Sequence, residues 1–281
     1  MSSIEESTGR PGITRPALST TLTPTSGVAL GITMLWFSLL VLIPLIAVLV
    51  TASEGGWSNF VHTITNGQTA HAVRLTLTAA AVVTLLNVFT GTAIAWVLVR
   101  DRFPGKSLLE LVIDIPFALP TIVAGLVLLS LYGGDESPLG INVANTEASV
   151  YLAFLFVTLP FVVRMVQPVL EELDLDVEEA AASLGASRRT VFVRIVLPSL
   201  APAIFAGAAL SFARGVGEYG SLVLLSGNLP FKSEVASVRI LGAIENDNAE
   251  GAAAIAAVLL VISLAVIVIL DVIQRRVASR G

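Results

Sequence analysis

Arg214 stands near the middle of an otherwise apolar stretch, and Glu218 follows four residues on, about one helical turn away. Charges at such depth are expensive, so they pair or face an aqueous path. Two readings fit this spacing. The two side chains form a self-neutralised pair that braces neighbouring helices, or Arg214 lines the route of an anion while Glu218 orients it or sets a gate. Arg164, near the end of another apolar stretch, either adds positive potential at an exit or snorkels to the interface. Arg74 is most simply a snorkelling anchor.

A second constellation is polar. Asp176 with Glu179 fits a capping box, and Glu178 and Glu179 sit where a helix dipole favours negative charge. Ala180, Ala181 and Ala182 are strong helix formers. After Leu184, Gly185 can end the helix at positive φ, Ser187 can cap a second one, and Pro198 is expected to close it. The expected product is a compact helix–turn–helix knob, with small residues (Gly185, Ala186, Ser187) at the turn that admit another surface. An interfacial amphipathic hairpin without a partner is the plainer reading.

The elements that must position these residues are membrane spans. The chain is 55% hydrophobic and 13% charged, with mean hydropathy +0.87; a water-soluble surface needs more charge. Six stretches have the roughly 20 apolar residues a spanning helix needs: 28–50, 72–99, 108–131, 149–168, 201–226 and 251–272. Prolines inside them (Pro44, Pro116, Pro120 and Pro160) imply kinks or breaks. Ala203, Gly207, Ser211 and Gly215 form a small-residue stripe that lets another helix approach closely.

Eleven of the sixteen Lys and Arg fall on one side: Arg10, Arg15, Arg100, Arg102, Lys106, Arg188, Arg189, Arg194, Arg275, Arg276 and Arg280. Lys232 and Arg239 fall on the other. The positive-inside rule makes both termini and the polar loop cytoplasmic. Residues 1–27, rich in Ser, Thr, Pro and Gly, are expected to be a disordered cytoplasmic tail. Residues 28–273 are the transmembrane domain with its cytoplasmic loop at 169–201, and 274–281 are a short cytoplasmic tail. Glu54, Asp135, Glu136 and Glu147 are expected to be solvated loop charges, as are Lys232 and Arg239 unless these two meet an acidic partner.

There is no cysteine, and the histidines are His62 and His71 alone. Disulfides, thiol nucleophiles and a His-rich metal site are excluded. The spans carry no cluster of nucleophile, base and metal ligands, so no catalytic residue, metal or cofactor is expected. No glycine run leads to Lys and Ser or Thr, so the chain should not itself bind ATP.

The pattern Glu179-Ala180-Ala181, three residues, Gly185, nine residues, Ile195, one residue, Leu197-Pro198 resembles the EAA-loop signature of binding-protein-dependent ABC importer permeases. The resemblance covers about residues 30–275. It implies the type I permease fold: an all-α membrane protein of six transmembrane helices. It also implies coupling to a separate ATPase through Glu179, Ala180, Ala181, Leu184, Gly185, Ala186 and Ser187. Gly217-Glu218-Tyr219-Gly220, with Leu225 to Pro230, is similar to the sulfate and molybdate branch. The stretch Asn248 to Ala256 and the extra first span resemble the T-type sulfate permeases. Asn246-Asp247-Asn248 departs from an aromatic-containing run common there, which bears on docking at the outer face.

The implied function is the pore-forming half of an importer for sulfate and thiosulfate in a bacterial cytoplasmic membrane. The implied partners are a homologous second permease chain in a heterodimer, a dimer of ATP-binding subunits, an extracytoplasmic sulfate-binding protein and the lipid bilayer, with no nucleic acid. Molybdate or tungstate import is the alternative within transport. A structural membrane scaffold is the alternative outside it, and would leave the loop spacing as coincidence.

Overall fold

A computed structural model describes residues 24–134 and 137–278. The expected tail up to residue 23, Asp135, Glu136 and Arg280 lie outside the described residues. The chain divides into two compact units, Met1–Ala47 and Val48–Gly281.

The described part of the first unit is helical and leads into the second through one run, α1 (Thr25–Glu54), of mean hydropathy 2.6. Its turn Ser38–Leu42 is π-helical, two residues ahead of Pro44. A proline ring clashes with the carbonyl four residues back and donates no hydrogen bond, and a widened turn accommodates both.

The second unit continues with α2 (Gly56–Thr65), α3 (Gly67–Arg100), α4 (Lys106–Ala118), α5 (Thr121–Tyr132) and α6 (Glu147–Glu172). Then follow α7 (Leu175–Ser183), α8 (Arg188–Val216), α9 (Gly220–Leu225), α10 (Ala236–Glu245) and α11 (Ala249–Ala278). Five helices are long and apolar enough to cross a membrane among the described residues, and six spans result when the bent pair α4–α5 counts as one.

The third expected span is therefore not one rod: α4 and α5 meet at 118°. Leu119, held extended at ψ 135 by the proline that follows, ends α4. Pro120 then opens α5. Pro116 and Pro160 lie within continuous helices. The fifth expected span, 201–226, is also broken. α8 stops at Val216, and Gly217 to Tyr219 turn the chain into α9. The second halves of the two broken spans face each other. A Cβ on Gly125 would lie 2.6 Å from the Ser221 carbonyl oxygen, and one on Gly220 would lie 2.1 Å from Thr121 Oγ1.

The centre of the bundle is the packing of α3, α6 and α8. At the end away from the polar loop Leu75, Ala79, Val83, Phe154, Phe212 and Ile255 form one apolar core. At the end beside the loop Leu98, Val162, Val166 and Leu200 form another. Ala203, Gly207, Ser211 and Gly215 are all buried, as the small-residue stripe requires. Val162 is wedged between two glycines. A Cβ on Gly91 would come within 2.9 Å of Val162 Cβ, and one on Gly207 within 3.0 Å of its Cα. Between the cores, buried Asn87 donates to Thr158 Oγ1 at 2.7 Å and Ser211 Oγ at 3.3 Å, tying the three helices by one amide.

Candidate functional site

The polar loop folds as a knob of two helices, with one shift of its start. Asp174, not the pair Asp176 and Glu179, caps α7, its Oδ1 accepting from Asp176 N at 3.0 Å. Asp174 and Asp176 are both suited to the position, and the extended backbone of Asp174 decides between them. At the other end Gly185 has φ +88. Its N–H bonds the Ala182 carbonyl at 2.9 Å, and the Ala186 N–H reaches back to the Ala181 carbonyl at 3.1 Å. This is the Schellman closure, in which a glycine supplies the left-handed step. No atom lies within 4 Å of a Cβ built on Gly185, so the backbone angle, not space, calls for glycine.

Ala181 and Ala186 pack onto the core at the loop end of the bundle. Glu179, Ala180, Leu184, Gly185 and Ser187 are exposed. Leu184, at the tip, is 90% exposed. Glu178 pairs with Arg100 at the end of α3, and the Arg100 guanidinium also lies 5.6 Å from the Trp96 ring centre. The knob is thereby held to the last turn of a span.

Ser187 caps α8, its Oγ accepting from Thr190 N at 3.2 Å. Pro198 does not close that helix. A π turn over Phe192–Val196 precedes it, and Pro198 lies in the first turn of the regular helix beyond. The helix therefore runs unbroken from Arg188 to Val216, 29 residues, or about 44 Å at 1.5 Å per residue. The knob and the fifth span are one rod.

Arg214 and Glu218 are brought together at the far end of that rod. Arg214 lies in the last turn of α8, where the expected span 201–226 breaks, and Glu218 lies beyond the helix end, 1% exposed. Arg214 Nη2 stands 2.7 Å from Glu218 Oε2, off the line of a hydrogen bond. Glu218 Oε1 accepts from Ser221 N at 2.8 Å and Ser221 Oγ at 2.7 Å. The carboxylate thus caps α9 as well as neutralising the arginine. The Arg214 side chain remains 30% exposed.

Arg164 belongs to a separate network and does not snorkel freely. Its Nε donates to Asp114 Oδ1 at 2.8 Å, its Nη2 to Asp114 Oδ2 and its Nη1 to Gln167 Oε1 at 2.8 Å. Gln167 in turn donates to Glu171 at 2.9 Å. Asp114 was readable as a lone acid within an apolar stretch, the signal that had singled out Arg214. Arg239 is also partnered, 4.0 Å from Glu234, whose other oxygen accepts from Gln68 Nε2 at 2.7 Å. Lys232 is exposed. Glu147 is not a loop charge but the first residue of α6. Asn248 caps α11 by accepting from Gly251 N at 2.8 Å, which gives Asn246-Asp247-Asn248 a structural use. Among the described residues no cluster of three or more His, Cys, Asp or Glu stands ready to hold a metal ion.

Solved structures share this architecture. A bacterial alginate ABC transporter bound to its alginate-loaded periplasmic protein matches with TM-score 0.73 over 89% of this chain and 94% of that one, at 16% identity. The inward-facing MetNI methionine ABC transporter matches with TM-score 0.56 over 74% of this chain and 95% of that one, at 18% identity. These show the fold.

Sequence relatives are far nearer. The sulfate transport system permease protein CysT of Salmonella typhimurium is 42% identical over 258 residues, covering 90% of this chain and 93% of that one. The probable sulfate permease of Nephroselmis olivacea is 44% identical over 252 residues, covering 88% and 89%. The family of binding-protein-dependent transport system inner membrane components matches residues 87–280. With that match and this identity along nine-tenths of its length, the chain belongs to the inner membrane components of binding-protein-dependent transport systems.

Proposed function

We propose that this chain is the pore-forming permease subunit of an ATP-driven importer of sulfate and thiosulfate, driven through its knob by a separate ATPase. The observation that carries the coupling is the unbroken α8. One helix starts at the exposed tip of the knob and ends at Arg214, beside the break at Gly217. Closure of an ATPase dimer on Leu184 and its neighbours moves a rigid body whose other end holds the ion pair.

The substrate rests on the relatives named as sulfate permeases. Arg214, paired but part-exposed, is the side chain that can meet a passing dianion, and Glu218 holds it in place. A homologous second permease, a dimer of ATP-binding subunits and an extracytoplasmic binding protein complete the assembly. Arg164, tied to Asp114, lies outside that contact and braces α4 against α6.

The test is radiolabelled sulfate uptake in cells lacking the chain, restored by wild type and by Leu184→Asp. Wild type is expected to restore uptake that excess thiosulfate competes and molybdate does not. Leu184→Asp touches no buried contact. It is expected to insert normally and lose at least nine-tenths of uptake, because a hot-spot contact is worth about 2 kcal/mol or more. Normal uptake by Leu184→Asp overturns the coupling role. Competition by molybdate in preference to sulfate shifts the substrate to molybdate or tungstate.

A further inference from the structure

At the outer end of the bundle α3 and α6 flank an open polar cleft of about 410 Å³, lined by His71, Arg74, Leu75, Thr78, Glu147 and Tyr151, of which Arg74, Thr78 and Glu147 are exposed. At about 30 Å³ each, roughly a dozen waters would fill it. It presents two solvated charges of opposite sign that do not pair with each other. Among the described residues neither the Arg74 guanidinium nor the Glu147 carboxylate has a side-chain ion pair or hydrogen bond.

Three further observations define what fits there. The cleft holds one cation and one anion. A simple oxyanion would leave Glu147 repelled, and a metal cation would leave Arg74 repelled; a ligand carrying both signs satisfies both. The depth is that of headgroups. α3 has 34 residues, about 51 Å long against a hydrocarbon core of about 30 Å, and Arg74 lies in its outer part. Finally, Arg74 and Thr78 begin a stripe that continues down the same face of α3 as Val82, Leu85 and Phe89, exposed by 44%, 60% and 73%. An apolar tail attached to a ligand in the cleft has a track to follow.

We infer that this cleft binds the headgroup of an outer-leaflet phospholipid carrying a primary ammonium, phosphatidylethanolamine in class. Arg74, with His71 and the Tyr151 hydroxyl, takes the phosphate. Glu147 takes the ammonium, and an acyl chain lies along Val82, Leu85 and Phe89.

The experiment uses the complete transporter, purified, delipidated and exposed to vesicles of equal parts phosphatidylethanolamine, phosphatidylcholine and phosphatidylglycerol. Retained lipid is counted by native mass spectrometry. Phosphatidylcholine shares the phosphate but has no N–H to donate, and phosphatidylglycerol has no ammonium. Wild type is expected to retain phosphatidylethanolamine over both. Glu147→Gln is expected to lower that retention about tenfold, the loss of one charge-assisted hydrogen bond, and to leave phosphatidylglycerol unchanged. Arg74→Ala is expected to lower both.

Equal retention of phosphatidylethanolamine and phosphatidylcholine by wild type overturns the proposal, as does wild-type retention in both variants. If Arg74→Ala raises the KM for sulfate while lipid retention stays unchanged, the cleft belongs to the ion route and the lipid site is refuted. If the isolated chain retains phosphatidylethanolamine and the complete assembly does not, a partner subunit covers the cleft and the proposal fails in that way.

Discussion

Glu218 and Arg214 are separated in consequence although they are paired in space. Glu218 is fully buried and holds both the N–H and the hydroxyl of Ser221, whereas Arg214 is 30% exposed and makes only the ion pair. Removing Glu218 uncaps α9 and strands a cation. Glu218→Ala is therefore expected to cost about 2–4 kcal/mol, read as a lowered unfolding midpoint in detergent. Arg214→Ala is expected to cost less stability but, on the proposed function, to reduce sulfate uptake per folded complex more than tenfold. If Arg214→Ala is the more destabilising and its folded fraction transports normally, the arginine is a brace alone. The sequence announced both residues by their charge in an apolar stretch. It did not announce that one of them caps a helix, because that depends on a break at Gly217 which the flanking apolar residues conceal.

At the scale of the element, spans and breaks differ in legibility. The spans were readable because hydropathy is summed over some twenty residues and single exceptions average out. Breaks rest on one or two residues. Pro116, Pro120 and Pro160 carry the same local chemistry, yet only Pro120 begins a new helix. Pro160 lies where the surrounding helix is buried in the bundle, while nothing in the packing around Pro116 sets it apart. The turn of the knob was legible to the residue, since Gly185 and the Ser187 cap depend on local backbone alone, but the end of its second helix was not, because Pro198 falls in a first turn that tolerates proline. The knob's shifted start at Asp174 reflects two acids, two positions apart, that compete for one cap.

Close packing was legible as a stripe on α8, but its counterpart Gly91 on α3 was not, because the two glycines meet only through Val162. Gly91→Val is expected to destabilise the bundle by about 1–3 kcal/mol, seen as a drop in the detergent unfolding midpoint. Gly31→Val, with nothing within 4 Å, should leave the midpoint unchanged. Equal effects of the two substitutions would remove Gly91 from the packing account.

For the whole molecule the question is how the knob is joined to the body. Beside its chain connections to α6 and α8 and the packing of Ala181 and Ala186 on the core, the knob is tied by the ion pair of Glu178 with Arg100 at the foot of α3. That pair is part-buried, with side chains 14% and 20% exposed, and is supported by the Trp96 ring. Arg100→Ala is expected to destabilise by about 1–3 kcal/mol, read as a lowered unfolding midpoint, because it leaves Glu178 without its charged partner. On the proposed function it should loosen the relation between ATP consumed and sulfate moved. The check is the ratio of ATPase rate to uptake in reconstituted vesicles, which should rise; an unchanged ratio would mean that the other connections carry the load.

The π turn at Phe192–Val196 gives α8 one residue more than a regular helix would hold. Each residue of an α-helix advances its direction by about 100°. The widened turn takes up that residue, so the bearing of Leu184 relative to the face on which Arg214 stands stays that of a regular helix one residue shorter. A one-residue deletion here is expected to restore a regular helix with the knob in place, whereas the same deletion in a regular turn would swing the knob by roughly 100° and break the Glu178–Arg100 pair. The turn is thus the place where the rod can gain or lose a residue without re-aiming the knob.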